Sequence, residues 1–296
     1  MAKLIQGKPI AQTIRQEVAS ETANLKKNGI QPHLTVVLVG ENPASQVYVR
    51  MKSKACNEAG IESETLILDS GITEEKLLNI IHELNQNPKV HGILVQLPLP
   101  DAIHEDRILE AILPSKDVDG FHPVNVGKLM TGMTDGFVPA TPSGILELLM
   151  RSGYPPQGKH VVVVGRSNIV GKPAGMLLLR KGREGDATVT FCHSRTPDLA
   201  SVTKRADILI AAIGRPRMIT QDMVKPGVVV IDVGVNRVED PSTEKGYRLE
   251  GDVDFDTVSQ IAEAITPVPG GVGPMTIACL LQNTIKACKQ LNRKES

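Results

Sequence analysis

Apolar positions recur along this chain with two alternating periods. Ile10, Ile14 and Val18 repeat every fourth residue and predict a helix, which Asn28-Gly29 would stop. Leu34-Thr-Val-Val-Leu-Val39 is a near-continuous apolar run closed by Gly40, the pattern of a strand buried on both faces. Helical spacing returns from Pro43 to Ala59 and ends at Gly60, and a short strand is expected at 65–68. Thr73, followed by Glu74 and Glu75, predicts a capped helix running to about Asn85. A further strand is expected at 90–96. Leu97-Pro-Leu-Pro100 must then leave the sheet, because proline has no N–H to give a ladder. The rhythm is βαβαβ, which predicts a right-handed parallel unit.

The stretch from Pro114 to Gly144 is polar and rich in proline and glycine, and reads as active-site loops and a crossing between domains. A second βα series follows, with strands expected at 160–165, 187–192, 206–213 and 228–234. Gly251–Asp254 and Thr266–Thr276 close it. A last helix, from about Met275 to Lys289, has no sheet partner of its own and is expected to return to the first domain. The fold class is therefore α/β, with two α/β domains. The division expected is 1–139, 140–269 and a C-terminal segment, 270–296.

Composition removes several function classes. The chain is 41% hydrophobic and 22% charged, with 33 basic and 33 acidic residues, so no bulk charge draws it to nucleic acid or an acidic membrane. Aromatic residues make up 2% and tryptophan is absent, which leaves few stacking platforms for bases. Cys56, Cys192, Cys279 and Cys288 form no CxxC pair. They fit reduced thiols in a cytoplasmic protein better than disulfides or a zinc site, and no metal is expected. No apolar run reaches the roughly 18 residues of a membrane span, and the N-terminus lacks the apolar core of a signal peptide.

The most specific chemistry lies in His160-Val-Val-Val-Val-Gly-Arg-Ser-Asn-Ile-Val-Gly-Lys-Pro173. Four valines predict a buried parallel strand. Gly165 can make the turn out of it, Gly171 allows close helix–strand packing, and Pro173 suits a first helical turn. The helix N-terminus is expected to offer free N–H groups to a pyrophosphate. The spacing is not GxGxxG, so by itself it also fits an ordinary βα turn. The next strand ends in His193-Ser-Arg195, where an NAD site usually has Asp or Glu. With Arg166, this set suits the 2′-phosphate of NADP, since guanidinium binds phosphate with charge-assisted bonds. Taken singly, Arg166 and Arg195 also read as solvated loop cations.

A second constellation lies in the first half. Tyr48 and Lys52 are four apart on an expected helix and share a face. Alone, Arg50-Met-Lys-Ser-Lys54 reads as a solvated charged face. Gln96, however, stands at the carboxyl end of a parallel strand, where open α/β sheets place ligands. Asp117 and Asp119 follow in a glycine-ended loop. Such a set could converge on a polar heterocycle.

Six motifs occur in order: Tyr48-Val-Arg-Met-Lys-Ser-Lys54, Gly92-Ile-Leu-Val-Gln-Leu-Pro-Leu-Pro100, Lys116-Asp-Val-Asp-Gly120, Gly165-Arg-Ser-Asn-Ile-Val-Gly171, Asp232-Val-Gly-Val-Asn236 and Pro267-Val-Pro-Gly-Gly-Val-Gly-Pro-Met-Thr276. In these the chain resembles the bifunctional methylenetetrahydrofolate dehydrogenase/methenyltetrahydrofolate cyclohydrolase family over nearly its whole length. The resemblance implies an N-terminal catalytic, folate-binding domain, a Rossmann-like NADP domain and a cytoplasmic homodimer. It implies Lys52 as the acid/base group, Gln96 as its hydrogen-bonding partner, Tyr48 packing along the folate, and Asp119 accepting from the pterin N–H groups. Leu97, Pro269, Gly270 and Gly271 would also meet the substrate. Gly165, Arg166, Ser167, Ser194 and Val235 would line the NADP site. The family usually has Pro-Cys-Thr-Pro where this chain has Pro139-Ala-Thr-Pro142, a departure with little consequence because that cysteine is not usually given a chemical role.

The implied reaction has two steps in one cleft: hydride transfer from 5,10-methylenetetrahydrofolate to NADP⁺, then hydrolysis of the methenyl product to 10-formyltetrahydrofolate. Hydrolysis needs a base near neutrality. A free lysine titrates at about 10.4, and useful lysine bases are brought to about 7–8 by desolvation or nearby cations. Two rival readings are a different NADP dehydrogenase, acting on an amino acid or a shikimate-like acid, and a non-catalytic folate- or dinucleotide-binding regulator. Hydride transfer assayed with methylenetetrahydrofolate separates the two enzyme readings, and an absence of turnover would support the third.

Overall fold

The structure is a computed structural model, and it describes residues 1–243 and 246–293. Along the chain run β1 (Lys3–Leu4), α1 (Gly7–Lys27), β2 (His33–Val39), α2 (Pro43–Glu58), β3 (Glu62–Leu68), α3 (Glu74–Gln86) and β4 (Gly92–Val95). Three helices follow: α4 (Glu105–Ala111), α5 (Pro123–Thr131) and α6 (Ala140–Arg151). Then come β5 (His160–Val164), α7 (Gly171–Leu179), β6 (Thr188–Cys192), α8 (Leu199–Thr203), β7 (Ile208–Ala211) and β8 (Val229–Asp232). The chain closes with β9 (Asn236–Glu239), β10 (Tyr247–Glu250), α9 (Phe255–Val258), β11 (Ala264–Ile265) and α10 (Val272–Leu291).

The chain forms two compact units. One comprises 12–140 and 277–296, the other 1–11 and 141–276. The first unit holds a parallel sheet in the order β3-β2-β4. Val37, Val39, Ile93 and Val95 of its strands pack with Leu77, Ile81 and Leu84 of α3 in one core cluster. Two starts obey simple capping chemistry: Asn42 Oδ1 accepts from Ser45 N before α2, and Thr73 Oγ1 accepts from Lys76 N before α3. The part of α10 from Ile277 onward belongs to this unit, as expected. There Lys289 Nζ pairs with Glu21 of α1 at 2.6 Å.

The second unit is built on a six-stranded parallel sheet, β1-β11-β8-β7-β5-β6. The four valines of β5 are buried, as a central strand covered on both faces requires. Chain order reverses between β5 and β7, and ligands of open α/β sheets bind outside the carboxyl ends of strands at such a point. β9 and β10 form a separate antiparallel hairpin.

Several sequence readings change. The region 114–144 is not all loop, because it contains α5 and the start of α6. The α5 pattern is masked by exposed Val124, Val126 and Met130, and its N-cap is His122, whose Nδ1 accepts from Val124 N. β3 starts at Glu62, since its outward acidic residues hide the strand, and β4 is limited to Gly92–Val95. The β9–β10 hairpin and the pairing of Lys3–Leu4 with Ala264–Ile265 had no counterpart in the pattern.

Candidate active site

In the first unit, Lys52 sits on the buried face of α2 with 8% of its surface exposed. Its Nζ donates to Gln96 Oε1 at 3.0 Å. Gln96 directly follows β4, and its backbone N–H still bonds Val37 O of β2, so its position is set by the sheet. Its side-chain Nε2 donates to Leu97 O at 2.9 Å. That bond fixes the orientation of the amide and turns the carbonyl oxygen toward the lysine. Burial holds the Lys52 ammonium below the usual lysine range, while the carboxylate of Asp119 partly opposes the shift. Burial pushes the Asp119 carboxyl up to about 6, and Lys52 pulls it back. The two groups therefore feel each other's charge in a poorly solvated place. Tyr48 lies one turn before Lys52 and is about half exposed, free to offer a flat apolar face. Lys52, Gln96 and Asp119 are thus brought together, with Tyr48 and Leu97 alongside in chain.

The loop carrying Asp119 is held by residues that pattern reading did not single out. Asp117 is bonded within the loop itself. Its carboxylate accepts from the N–H groups of Gly120, Phe121 and His122 and from Asn125 Nδ2. The spacing of Asp117 and Gly120 is that of a turn with aspartate first and glycine fourth, so this signal was present. Lys116 is buried, and its Nζ donates to the carbonyls of Leu84, Asn85 and Asn87, closing the carboxyl end of α3. Asn283, far along the chain on α10, donates to Val118 O at 2.8 Å and Val138 O at 2.9 Å. No local pattern could reveal that role.

In the second unit, Gly165, Arg166 and Ser167 follow β5, Ser194 follows β6 and Val235 follows β8, all at the carboxyl edge of the sheet. Gly165 has φ +133°, and a Cβ there would lie 2.1 Å from Ala212 O at the end of β7. Glycine is thus required by the neighbouring strand end itself. A Cβ on Gly171 would lie 2.4 Å from Gly165 O, which confirms close packing of α7 on the turn.

The first amides of α7 are not free, contrary to the reading above. Ser167 Oγ accepts from Val170 N and Gly171 N, and Ser167 O accepts from Lys172 N. Val170 is the N-cap residue, and the Ser167 hydroxyl serves the amides that lead into the helix. The loop before it, from Arg166 to Ile169, is exposed. At the end of β6, His193 Nδ1 accepts from Arg195 N, and Thr196 Oγ1 accepts from His193 N. This tight turn presents exposed Ser194 and Arg195. A glycine-edged turn, an exposed loop and two arginines at adjacent strand ends fit a phosphate-bearing dinucleotide.

Pro269, Gly270 and Gly271 follow β11 in the same unit, and Gly270 has φ +108°. A Cβ on Gly7 would lie 1.8 Å from Gly271 O, so one close approach in this run is to the chain's own N-terminal segment. Among the described residues no cluster of His, Cys, Asp and Glu could hold a metal ion, and no helix is long and apolar enough to cross a membrane.

Comparison with known proteins converges on one family. Residues 5–119 match the family model described as tetrahydrofolate dehydrogenase/cyclohydrolase, catalytic domain. Residues 139–292 match the one described as tetrahydrofolate dehydrogenase/cyclohydrolase, NAD(P)-binding domain. The bifunctional protein FolD of Prosthecochloris aestuarii is 58% identical over 286 residues, covering 96% of this chain and 97% of the relative. The crystal structure of the bifunctional enzyme FolD from Campylobacter jejuni superposes with a TM-score of 0.92 at 50% identity, covering 98% and 99% of the two chains. The Trypanosoma brucei dehydrogenase-cyclohydrolase, solved with NADP cofactor and inhibitor, gives 0.93 at 42% identity and 99% coverage of both.

Proposed function

The chain belongs to the tetrahydrofolate dehydrogenase/cyclohydrolase family, and from that premise we propose how its residues divide the work. The activity is bifunctional: NADP-dependent oxidation of 5,10-methylenetetrahydrofolate to the methenyl form, then hydrolysis to 10-formyltetrahydrofolate. When bound, NADP⁺ supplies the acceptor for the hydride. The relatives favour this reading over an amino-acid or shikimate dehydrogenase and over a non-catalytic regulator.

The observation that carries the assignment of the base is the buried Lys52 ammonium on Gln96 Oε1, with Asp119 acting on it. Lys52 takes the proton from the water that adds to the methenyl carbon. Hydrolysis then completes when the bond from that carbon to N5 breaks: the hydroxyl gives up its proton as the formyl C=O forms, the electron pair stays on N5, and N5 takes up a proton, which the Lys52 ammonium can return. A neutral amine is needed for the first event, and desolvation favours it. The methenyl substrate is itself a cation and pushes Lys52 further toward the neutral form. Gln96 keeps the amine aimed, because its own amide is locked on Leu97 O. Asp119 accepts from the pterin N–H groups, Tyr48 packs along the folate, and Leu97, Pro269, Gly270 and Gly271 complete the substrate contacts.

For the cofactor, Arg166 and Arg195 receive the 2′-phosphate. Gly165 and the loop at Ser167 approach the pyrophosphate, and Ser194 and Val235 line the ends. All four cysteines are buried and outside any disulfide, which suits a cytoplasmic protein. The family resemblance supports a homodimer, which sedimentation would test.

A spectrophotometric assay with methylenetetrahydrofolate tests the assignment. Turnover is expected with NADP⁺ and less with NAD⁺. Arg166→Ala should raise KM for NADP⁺ about tenfold and leave KM for NAD⁺ nearly unchanged. Equal effects on both would remove Arg166 from the 2′-phosphate.

A further inference from the structure

Two buried carboxylates lie at the carboxyl edge of the six-stranded sheet, and the reaction uses neither. Asp232 ends β8. It accepts from Gly234 N at 3.0 Å, Asp252 N at 2.9 Å and Val253 N at 3.0 Å. Asp252 is fully buried. It accepts from Ile213 N, Gly214 N and Arg215 N in the turn after β7, and from Asn236 Nδ2 at the start of β9. Asp232 thus holds the turn after β8 and seats Asp252, and Asp252 ties the turn after β7 to Asn236, where the turn after β8 runs into β9.

The arrangement is reciprocal. A Cβ on Gly234 would lie 2.2 Å from Asp252 Oδ1, and a Cβ on Gly251 would lie 1.9 Å from Asp232 Oδ2. Each carboxylate has a glycine opposite it to make room. Burying carboxylates is costly, and an apolar pair of similar size would often stabilise as well or better. What an apolar pair cannot do is hold several amides of two loops at set positions.

We propose that Asp252 is a positioning residue for the nicotinamide half of the NADP site. The inference rests on the cofactor reading above. A dinucleotide lies across the carboxyl edge at the reversal of strand order. The 2′-phosphate end belongs at β6, with Ser194 and Arg195, so the other end lies over the turns after β7 and β8. Those are the turns that Asp252 ties together.

Calorimetric titration of the full chain with NADP⁺ and with 2′,5′-ADP, which carries only the phosphoadenosine half, tests this. Asp252→Asn replaces an accepting oxygen with an NH₂ group facing amide donors. It should weaken NADP⁺ binding about tenfold and leave 2′,5′-ADP within about twofold. Should that variant not fold, Asn236→Ala removes one donor from Asp252 Oδ1 and should weaken NADP⁺ alone by about threefold. Equal loss of both ligands, or unchanged binding of both, in a folded variant overturns the proposal. Failure of the unaltered protein to bind NADP⁺ would overturn the cofactor reading itself, and the proposal with it.

Discussion

At the scale of the residue, the chemistry turns on one buried amine and one carboxylate. Lys52→Met keeps the volume and removes the base. Cyclohydrolase turnover should fall by at least about a hundredfold, while NADP⁺ binding measured by calorimetry stays intact. Loss of both together would make Lys52 a structural residue. Asp119 gives a pH dependence with a definite sign. Its folded carboxyl titrates at about 6, above the ordinary aspartate range. Between that range and about 6 the folded protein holds a proton that the unfolded chain has released, so this group's contribution to stability is lost as pH rises through the interval. Ligand recognition runs the other way, because only the charged form accepts from all the pterin donors. Tetrahydrofolate binding should therefore tighten from about pH 5 to about pH 7, and Asp119→Asn should flatten that profile. A profile unchanged by the substitution would remove Asp119 from the pterin.

At the scale of the element, side chains far from the chemistry set where the reactive loops stand. α3 ends on the Lys116 ammonium, which serves three carbonyls that have no partner within the helix. Lys116→Met should cost about 2–3 kcal/mol in urea unfolding with an unchanged m-value, and should raise KM for the folate substrate because Asp119 is three residues away. The turn after β5 shows the same economy: the hydroxyl of Ser167, a residue expected to line the NADP site, accepts from the amides that lead into α7. The α2 and α3 starts, the valine strand and Gly165 were legible in local pattern, because caps, burial on both faces and a positive φ leave local signatures. α5 was not, because its outward face is apolar and its cap is a histidine.

At the scale of the whole molecule, each compact unit is discontinuous in sequence. The unit holding Lys52 needs residues from 277 onward, including Asn283 and the buried Leu280, Leu281 and Ile285. A fragment ending at residue 140 should show no cooperative thermal transition by circular dichroism. The same fragment fused through a Gly/Ser linker to 277–293 should recover one. A cooperative melt of the short fragment would show that α10 is dispensable to this unit.

What the amino-acid order determined alone is everything that rests on neighbours in sequence. The alternation of βα units, the turn at Gly165, the pairing of Tyr48 and Lys52 on one helix face and the arginines at the strand ends all follow from periods of two and 3.6 and from short-range capping. Tertiary structure decided which carboxylate is free and which is spent, Asp119 against Asp117. It decided that Asn283 holds a loop 165 residues away and that Asp252 ties two strand ends together. Those outcomes depend on which groups are buried beside one another, and burial raises the cost of an unpaired polar group enough to select partners that no local spacing records.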